Sequence, residues 1–304
     1  MTETHLRYLL LAALALVAVS YLWRWYAVEH TRAAADSHRP RFADTVLGFV
    51  TNFFDTLGIG SFAPTTAILK MQKRMPDEQI PGTLNAGYTL PTLAQALIFT
   101  VLVEVDLTTL VSMIAAAVFG SWLGAGIVAR LPRRAIQLGL GGVLLVAALL
   151  FLGANMGWTS AGGTALSLTG GHLVFALAVN FVLGALMTLG LGLYGPCLIL
   201  VSLLGMDPRA AFPIMMGSCA FLMPVCSLRF IRLQRYDARA AIGMALGAVP
   251  GVLIAAFIVK SLPLVWLRWL VVVVVLYAAT LMLTSALRSK TGTTAPLESP
   301  TIHP

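Results

Sequence analysis

At 304 residues, 59% hydrophobic and 11% charged, with a mean hydropathy of +0.88, the chain is too apolar for a water-soluble domain and leaves no stretch over for a soluble catalytic unit. A net charge of +8 would point to nucleic acid in a soluble protein; here the basic residues gather in short segments between apolar runs, the pattern that orients a protein in a bilayer, so no nucleic acid partner is expected. Cys197, Cys219 and Cys226 lie in apolar segments without metal-ligand spacing and read as small buried hydrophobes, so neither a disulfide framework, a metal nor a cofactor is expected.

The first apolar run, Leu6 to Trp23, is long and is followed by Arg24, Trp25 and Tyr26, not by a small-residue cleavage site, so it reads as a retained helix over about 6–28. Further runs long enough to cross a ~30 Å hydrocarbon core lie at about 82–103, 107–129, 135–153, 212–230, 240–260 and 264–287. Two segments, about 44–73 and 172–204, are interrupted by TLGIGSFAP (56–64) and TLGLGLYGP (188–196). Each is either one broken crossing or a hairpin that enters and leaves on the same side. Residues 154–170 read as a Gly/Ser/Thr-rich external linker and 289–304 as a disordered cytoplasmic tail.

Charge decides between the two topologies. With hairpins, Arg32, Arg39, Arg41, Lys70, Lys73, Arg74, Arg130, Arg133, Arg134, Arg229, Arg232, Arg235, Arg239, Arg288 and Lys290 share one side, the cytoplasm, and only Arg7, Arg209 and Lys260 fall in loops or tails opposite. Full crossings would scatter these groups over both faces. The arms agree, since about 14 and 9 residues make ~21 and ~14 Å of helix, each too short to span.

The motif also recurs at a fixed distance. Thr56, Leu57, Gly58, Gly60 and Pro64 return as Thr188, Leu189, Gly190, Gly192 and Pro196, and Gly120, Leu131 and Pro132 return as Gly251, Leu262 and Pro263. Each half then holds one re-entrant hairpin and three crossings. Three is odd, so the second half is inverted. The expected fold is an all-α polytopic membrane protein of two inverted repeats, each a re-entrant broken-helix hairpin plus three transmembrane helices, with one extra N-terminal helix. Its divisions are 1–41 for the extra helix and cytoplasmic loop, 42–153 for repeat 1, 154–170 for the linker, 171–288 for repeat 2 and 289–304 for the tail. Gly243, Gly247 and Gly251, four residues apart, read as a helix-packing seam.

Backbone that leaves the helix inside a bilayer needs partners in protein or in a watery cavity. Glycine permits the turn and a close approach of N–H groups, and Pro64 and Pro196 mark the starts of returning half-helices, where a missing N–H costs nothing. Helix N-termini suit an oxyanion, and two of them brought to one midplane point form an anion site without a basic side chain. The substrate-binding candidates are Asn52, Asp55, Thr56, Gly58, Gly60, Ser61 and Pro64 in the first hairpin and Thr188, Gly190, Gly192, Tyr194 and Pro196 in the second. Asn52, Asp55 and Thr56 share a helix face; their counterparts are Gly184, Met187 and Thr188.

Asp55 is the carboxylate well inside an apolar arm, which makes it a functional candidate. Its readings are proton-linked gating, bonding to backbone donors of the turn, or a cation site; the first predicts that Asp55→Asn alters the pH dependence of transport with the fold intact. Tyr194 offers a hydroxyl to the ligand or simply packs. Glu104 and Asp106 read as solvated loop residues and His172 as interfacial.

The stretch GFVTNFFDTLGIGSFAPTTA, followed by the second glycine-broken segment, resembles the TauE/SafE family of sulfite and organosulfonate exporters over about residues 42–287, leaving 1–41 and the tail outside. The resemblance implies a multi-pass permease of the bacterial inner membrane for small sulfur oxyanions such as sulfite or sulfoacetate. LGLYGP in the second hairpin departs from the more glycine-rich pattern of many relatives. Without a His/Glu metal motif, nucleophile elbow or P-loop, no enzyme is expected. An exporter of small sulfur oxyanions is favoured, with a proton- or sodium-coupled importer of organic anions and an anion channel as alternatives. The sequence leaves the oligomeric state open, a homodimer among the options.

Overall fold

The computed structural model describes residues 3–32, 39–128, 132–156, 163–187 and 193–288. Among them run eleven α-helices: α1 (Glu3–Arg32), α2 (Phe42–Thr56), α3 (Phe62–Gln72), α4 (Ile80–Leu102), α5 (Leu107–Val128), α6 (Arg133–Asn155), α7 (Gly170–Met187), α8 (Tyr194–Leu203), α9 (Ala211–Arg232), α10 (Ala238–Ser261) and α11 (Leu264–Arg288). One-turn 3-10 helices at Asp77–Gln79 and Pro208–Ala210 lead into α4 and α9. The tail 289–304 lies outside the described residues.

Among the described residues seven helices are long and apolar enough to cross a membrane: α1, α5, α6, α7, α9, α10 and α11. The chain is therefore an all-α, multi-span membrane protein. The expected crossing at 82–103 is present as α4, yet α4 is not one of the seven. It is long enough, at 23 residues, but buries Thr83, Tyr88, Thr89, Thr92, Gln95 and Thr100, so it is a polar inner helix and not a lipid-facing one. Among the candidate spans α9 is the most enclosed (72% buried) and α1 the least (17%). The helices around them turn Trp122, Phe257 and Trp266 outward, as lipid contact allows.

Both interrupted segments double back. Asp44, in the first turn of α2, meets Arg74, just beyond α3, at 2.8 Å, so the two ends of the first segment lie together and Arg41 and Lys73 flank the same end. A single broken crossing would hold them a membrane's thickness apart. Ala165, ahead of α7, bridges Met206, beyond α8, and Asp207 N–H donates to Ala165 O at 2.9 Å. Although α7 is apolar enough to span, the chain that follows it returns to where it began. The bridge also shows that part of the linker is docked. Asp106 accepts from the Thr109 N–H (2.7 Å) and hydroxyl (2.9 Å), and its own N–H donates to Leu166 O. It caps α5 and anchors the linker, whereas a solvated residue was expected; Glu104 is exposed.

Four pairs of helix starts recur at a spacing of 131 or 132 residues: 62 and 194, 80 and 211, 107 and 238, 133 and 264. The halves interlock through glycine seams. A Cβ on Gly247 would come within 1.8 Å of Thr45 O and one on Gly251 within 2.5 Å of Phe49 O, so α10 lies against α2 backbone to backbone. At a second seam a Cβ on Gly120 would come within 1.9 Å of Phe181 O and one on Gly184 within 2.0 Å of Ala117 O, joining α5 to α7. The pairs Gly251–Phe49 and Gly120–Phe181 are alike in kind, their glycines 131 and their phenylalanines 132 residues apart in the chain. Each hairpin thus rests on a helix of the opposite half.

The amino-terminal helix is attached by polar groups. The Tyr21 hydroxyl donates to Ala86 O (3.0 Å) and lies 2.8 Å from Ser227 Oγ, and Trp25 Nε1 donates to the Tyr236 hydroxyl at 3.2 Å. Cys197 and Cys219 are buried as expected, but Cys226 is exposed. On an outward face of a membrane helix an apolar thiol needs no burial in protein.

Candidate functional site

The tip of the first hairpin is built by its glycines. Gly58 N–H donates to Asp55 O at 2.8 Å and Ile59 N–H to Phe54 O at 3.2 Å, the paired bonds of a Schellman stop, with Gly58 at φ +96°. Gly60 also takes a positive φ, +87°, and a side chain there would meet open space. Residues with a Cβ avoid both conformations. Pro64 is the third residue of α3 and Pro196 the third of α8, where helical N–H groups lack internal partners anyway.

Asp55 closes this turn. Its Oδ1 accepts from the Ser61 N–H at 2.6 Å and its Oδ2 from Gln95 Nε2 at 2.9 Å, with the side chain 4% exposed. The carboxylate thus occupies one donor of the α3 start, and Thr65 N–H is returned to Ser61 O at 3.1 Å. Ahead of that first intrahelical bond, the N–H groups of Phe62 and Ala63 are the ones the helix leaves without acceptors. Thr56 donates to Asn52 O (2.8 Å) and accepts from Gln95 Nε2 (2.9 Å). Asn52 turns its amide back to Gly48 O at 3.1 Å. Asn52, Asp55 and Thr56 do share one buried face, as their spacing predicts.

Two further clasps hold the arms. At mid-height the Tyr88 hydroxyl of α4 lies 2.8 Å from both Thr51 Oγ1 of α2 and Thr65 Oγ1 of α3. Both threonines also reach carbonyls of their own helices, Leu47 O and Ser61 O, each at 2.7 Å. Three hydroxyl protons serve four contacts, so one contact lacks a proton at any instant. At the base stands the Asp44–Arg74 ion pair, its carboxylate 1% exposed.

From the second hairpin, Tyr194 reaches in: its hydroxyl donates to Gln95 Oε1 at 3.4 Å. Asp55, Thr56, Ser61, Gln95 and Tyr194 therefore meet, and Gly60 and Pro64 lie in the same turn and helix start. Pro196 is buried in α8. Thr188, Gly190 and Gly192 lie outside the described residues. His172 is exposed at the start of α7.

Sequence reasoning missed Gln95 and Tyr88. The signal was there, since Tyr88, Thr92 and Gln95 are spaced by four and three, one face of a helix in an otherwise apolar run. A cavity of about 250 Å³ lies elsewhere, against the α2–α10 seam between Thr45, Val46, Phe49, Leu246, Gly247 and Pro250. Among the described residues no group of three or more His, Cys, Asp or Glu is placed to hold a metal ion.

Residues 1–151 match the family model described as Sulfite exporter TauE/SafE. The match begins at α1, which the resemblance read from motifs had left outside, and ends within α6, short of the second half. Neither a search of curated proteins nor one of solved structures finds a match. The chain is thus a multi-pass membrane protein that matches the TauE/SafE family over residues 1–151.

Proposed function

We propose that the protein is a secondary transporter that exports small sulfur oxyanions, sulfite or organosulfonates such as sulfoacetate, across the bacterial inner membrane. The observation that carries this reading is the family match, which takes in the entire first hairpin and whose description is that of a sulfite exporter. In it the two halves are inverted repeats, each a re-entrant hairpin with three crossings, and the anion binds at the midplane between the hairpin tips. The open space at Gly60 admits the anion, and the N–H groups of Phe62 and Ala63 at the start of α3 supply its donors. Tyr194, at the start of α8, reaches Gln95 beside the first hairpin's tip, and this contact favours one shared site over two. A potential negative inside drives an anion outward by ~2.3 kcal/mol per charge per 100 mV, so an exporter needs no coupling ion.

The test is sulfite flux from proteoliposomes under an imposed potassium-diffusion potential. Saturable efflux that quickens with interior-negative potential, without a proton or sodium gradient, is the expected result. Flux equal to that of empty liposomes overturns the reading. Accumulation only under an ion gradient identifies a coupled importer, and flux that never saturates a channel.

A further inference from the structure

We infer that Gln95 is the positioning residue that registers the two hairpins against each other, holding the Asp55 carboxylate on one side and the Tyr194 hydroxyl on the other. This rests on the proposed site between the tips. The orientation of its amide follows from its neighbours. A carboxylate only accepts, and the Thr56 hydroxyl gives its proton to Asn52 O, so both groups that Gln95 meets on α2 require a donor. Nε2 must face them, and Oε1 is left for Tyr194. One fully buried side chain thus donates twice to the first hairpin and accepts once from the second. The two links differ in strength. The bond to Asp55 is 2.9 Å, whereas the contact with Tyr194 is 3.4 Å, so the register rests on its weaker side.

The consequence concerns an anion that reaches the α3 start. It competes with Asp55 for the Ser61 N–H, and Asp55 in turn fixes the amide that holds Tyr194. Occupancy at one hairpin is therefore transmitted to the other through Gln95. Volume alone does not explain this choice of residue, because leucine would fill the space and make none of the three bonds.

The test uses the full-length protein and its own thiols. Cys219 is 3% exposed and its thiol lies 3.7 Å from Met187 Sδ at the end of α7, so a shift of the second hairpin uncovers it. Its alkylation by iodoacetamide is followed by mass spectrometry without substrate. Gln95→Glu is isosteric but sets acceptor against acceptor, and alkylation of Cys219 should rise about tenfold. Tyr194→Phe, which removes only a hydroxyl, should raise it about fivefold. The swap Asp55→Asn with Gln95→Glu restores a donor facing a carboxylate and should return the rate to within about twofold of wild type. In sulfite flux Gln95→Glu should raise KM more than it lowers kcat, and the swap should recover KM.

Wild-type alkylation in Gln95→Glu or in Tyr194→Phe overturns the assignment, and so does a swap that recovers nothing. If the alkylation pattern holds while the wild-type protein moves no sulfite, the transport reading fails and the positioning role stands.

Discussion

The two interrupted segments both double back, and they are held together by different chemistry. The first is clasped by side chains along its length: Asp44 with Arg74 at the base, Thr51 and Thr65 with Tyr88 in the middle, Asp55 with the Ser61 N–H at the tip. At a spacing of 132 the second carries Ala176 for Asp44, Met206 for Arg74, Leu183 for Thr51, Cys197 for Thr65, Met187 for Asp55 and Leu193 for Ser61. At each of these positions an apolar residue stands where the first segment has a polar one. At the base of the second segment is the backbone bridge of Ala165 with Met206, and against its helices lie packed side chains, the contact of Met187 with Cys219 of α9 among them. Hydrogen bonds and ion pairs are directional, whereas apolar packing tolerates sliding. The first segment is thus fastened by directional bonds and the second by packing.

The comparison can be broken most strongly at the base. Arg74→Ala leaves the Asp44 carboxylate buried without its partner and should cost about 3 kcal/mol, read as a lower midpoint of thermal unfolding in detergent; Arg74 is 26% exposed, which places the effect toward the low end for a buried pair. Asp44→Leu with Arg74→Met, which imitates the apolar second hairpin, should recover most of that loss. A double variant no better than Arg74→Ala would mean that the ion pair does more than tie the ends.

The seams are what the halves share, so the same substitution should act alike on both. Gly247→Ala and Gly120→Ala each drive a methyl into a facing carbonyl and should cost about 2 kcal/mol in the same assay. A large loss at one seam and none at the other would deny the equivalence of the halves.

The tip and the middle give smaller effects. Asp55→Asn keeps an acceptor for the Ser61 N–H but presents a second donor to Gln95, and should lower stability by about 1.5 kcal/mol. Tyr88→Phe removes the shared hydroxyl but leaves both threonines bonded to their own helices, and should cost about 1 kcal/mol. If Tyr88→Phe proved the costlier of the two, the middle clasp and not the tip would be the main fastening of the first hairpin.

Much of the architecture was legible in the chain alone. Apolar run lengths located the helices to within a few residues, because spanning a bilayer is a matter of length and hydropathy along a continuous segment. The glycine-rich interruption at 56–64 marked the tip of the first hairpin, since positive φ at Gly58 and Gly60 is a local demand on the backbone. The positive-inside argument chose hairpins over crossings, and the Asp44–Arg74 contact agrees. The repeat spacing, the glycine seam on α10 and the common face of Asn52, Asp55 and Thr56 are likewise periodic features of one chain.

Partnership was decided only in three dimensions. That Asp55 bonds the turn's own N–H, that Gln95 forty residues later completes its environment, and that Tyr194 reaches the same amide from the other half all depend on which helices come side by side. The sequence carried the polar face of α4 but not its neighbours, and it marked Asp106 as polar without showing that it caps α5. Hydropathy and backbone strain belong to consecutive residues, and the sequence by itself determined them; a hydrogen bond between distant residues exists only when packing sets donor and acceptor within ~3 Å, and that the tertiary structure alone decided.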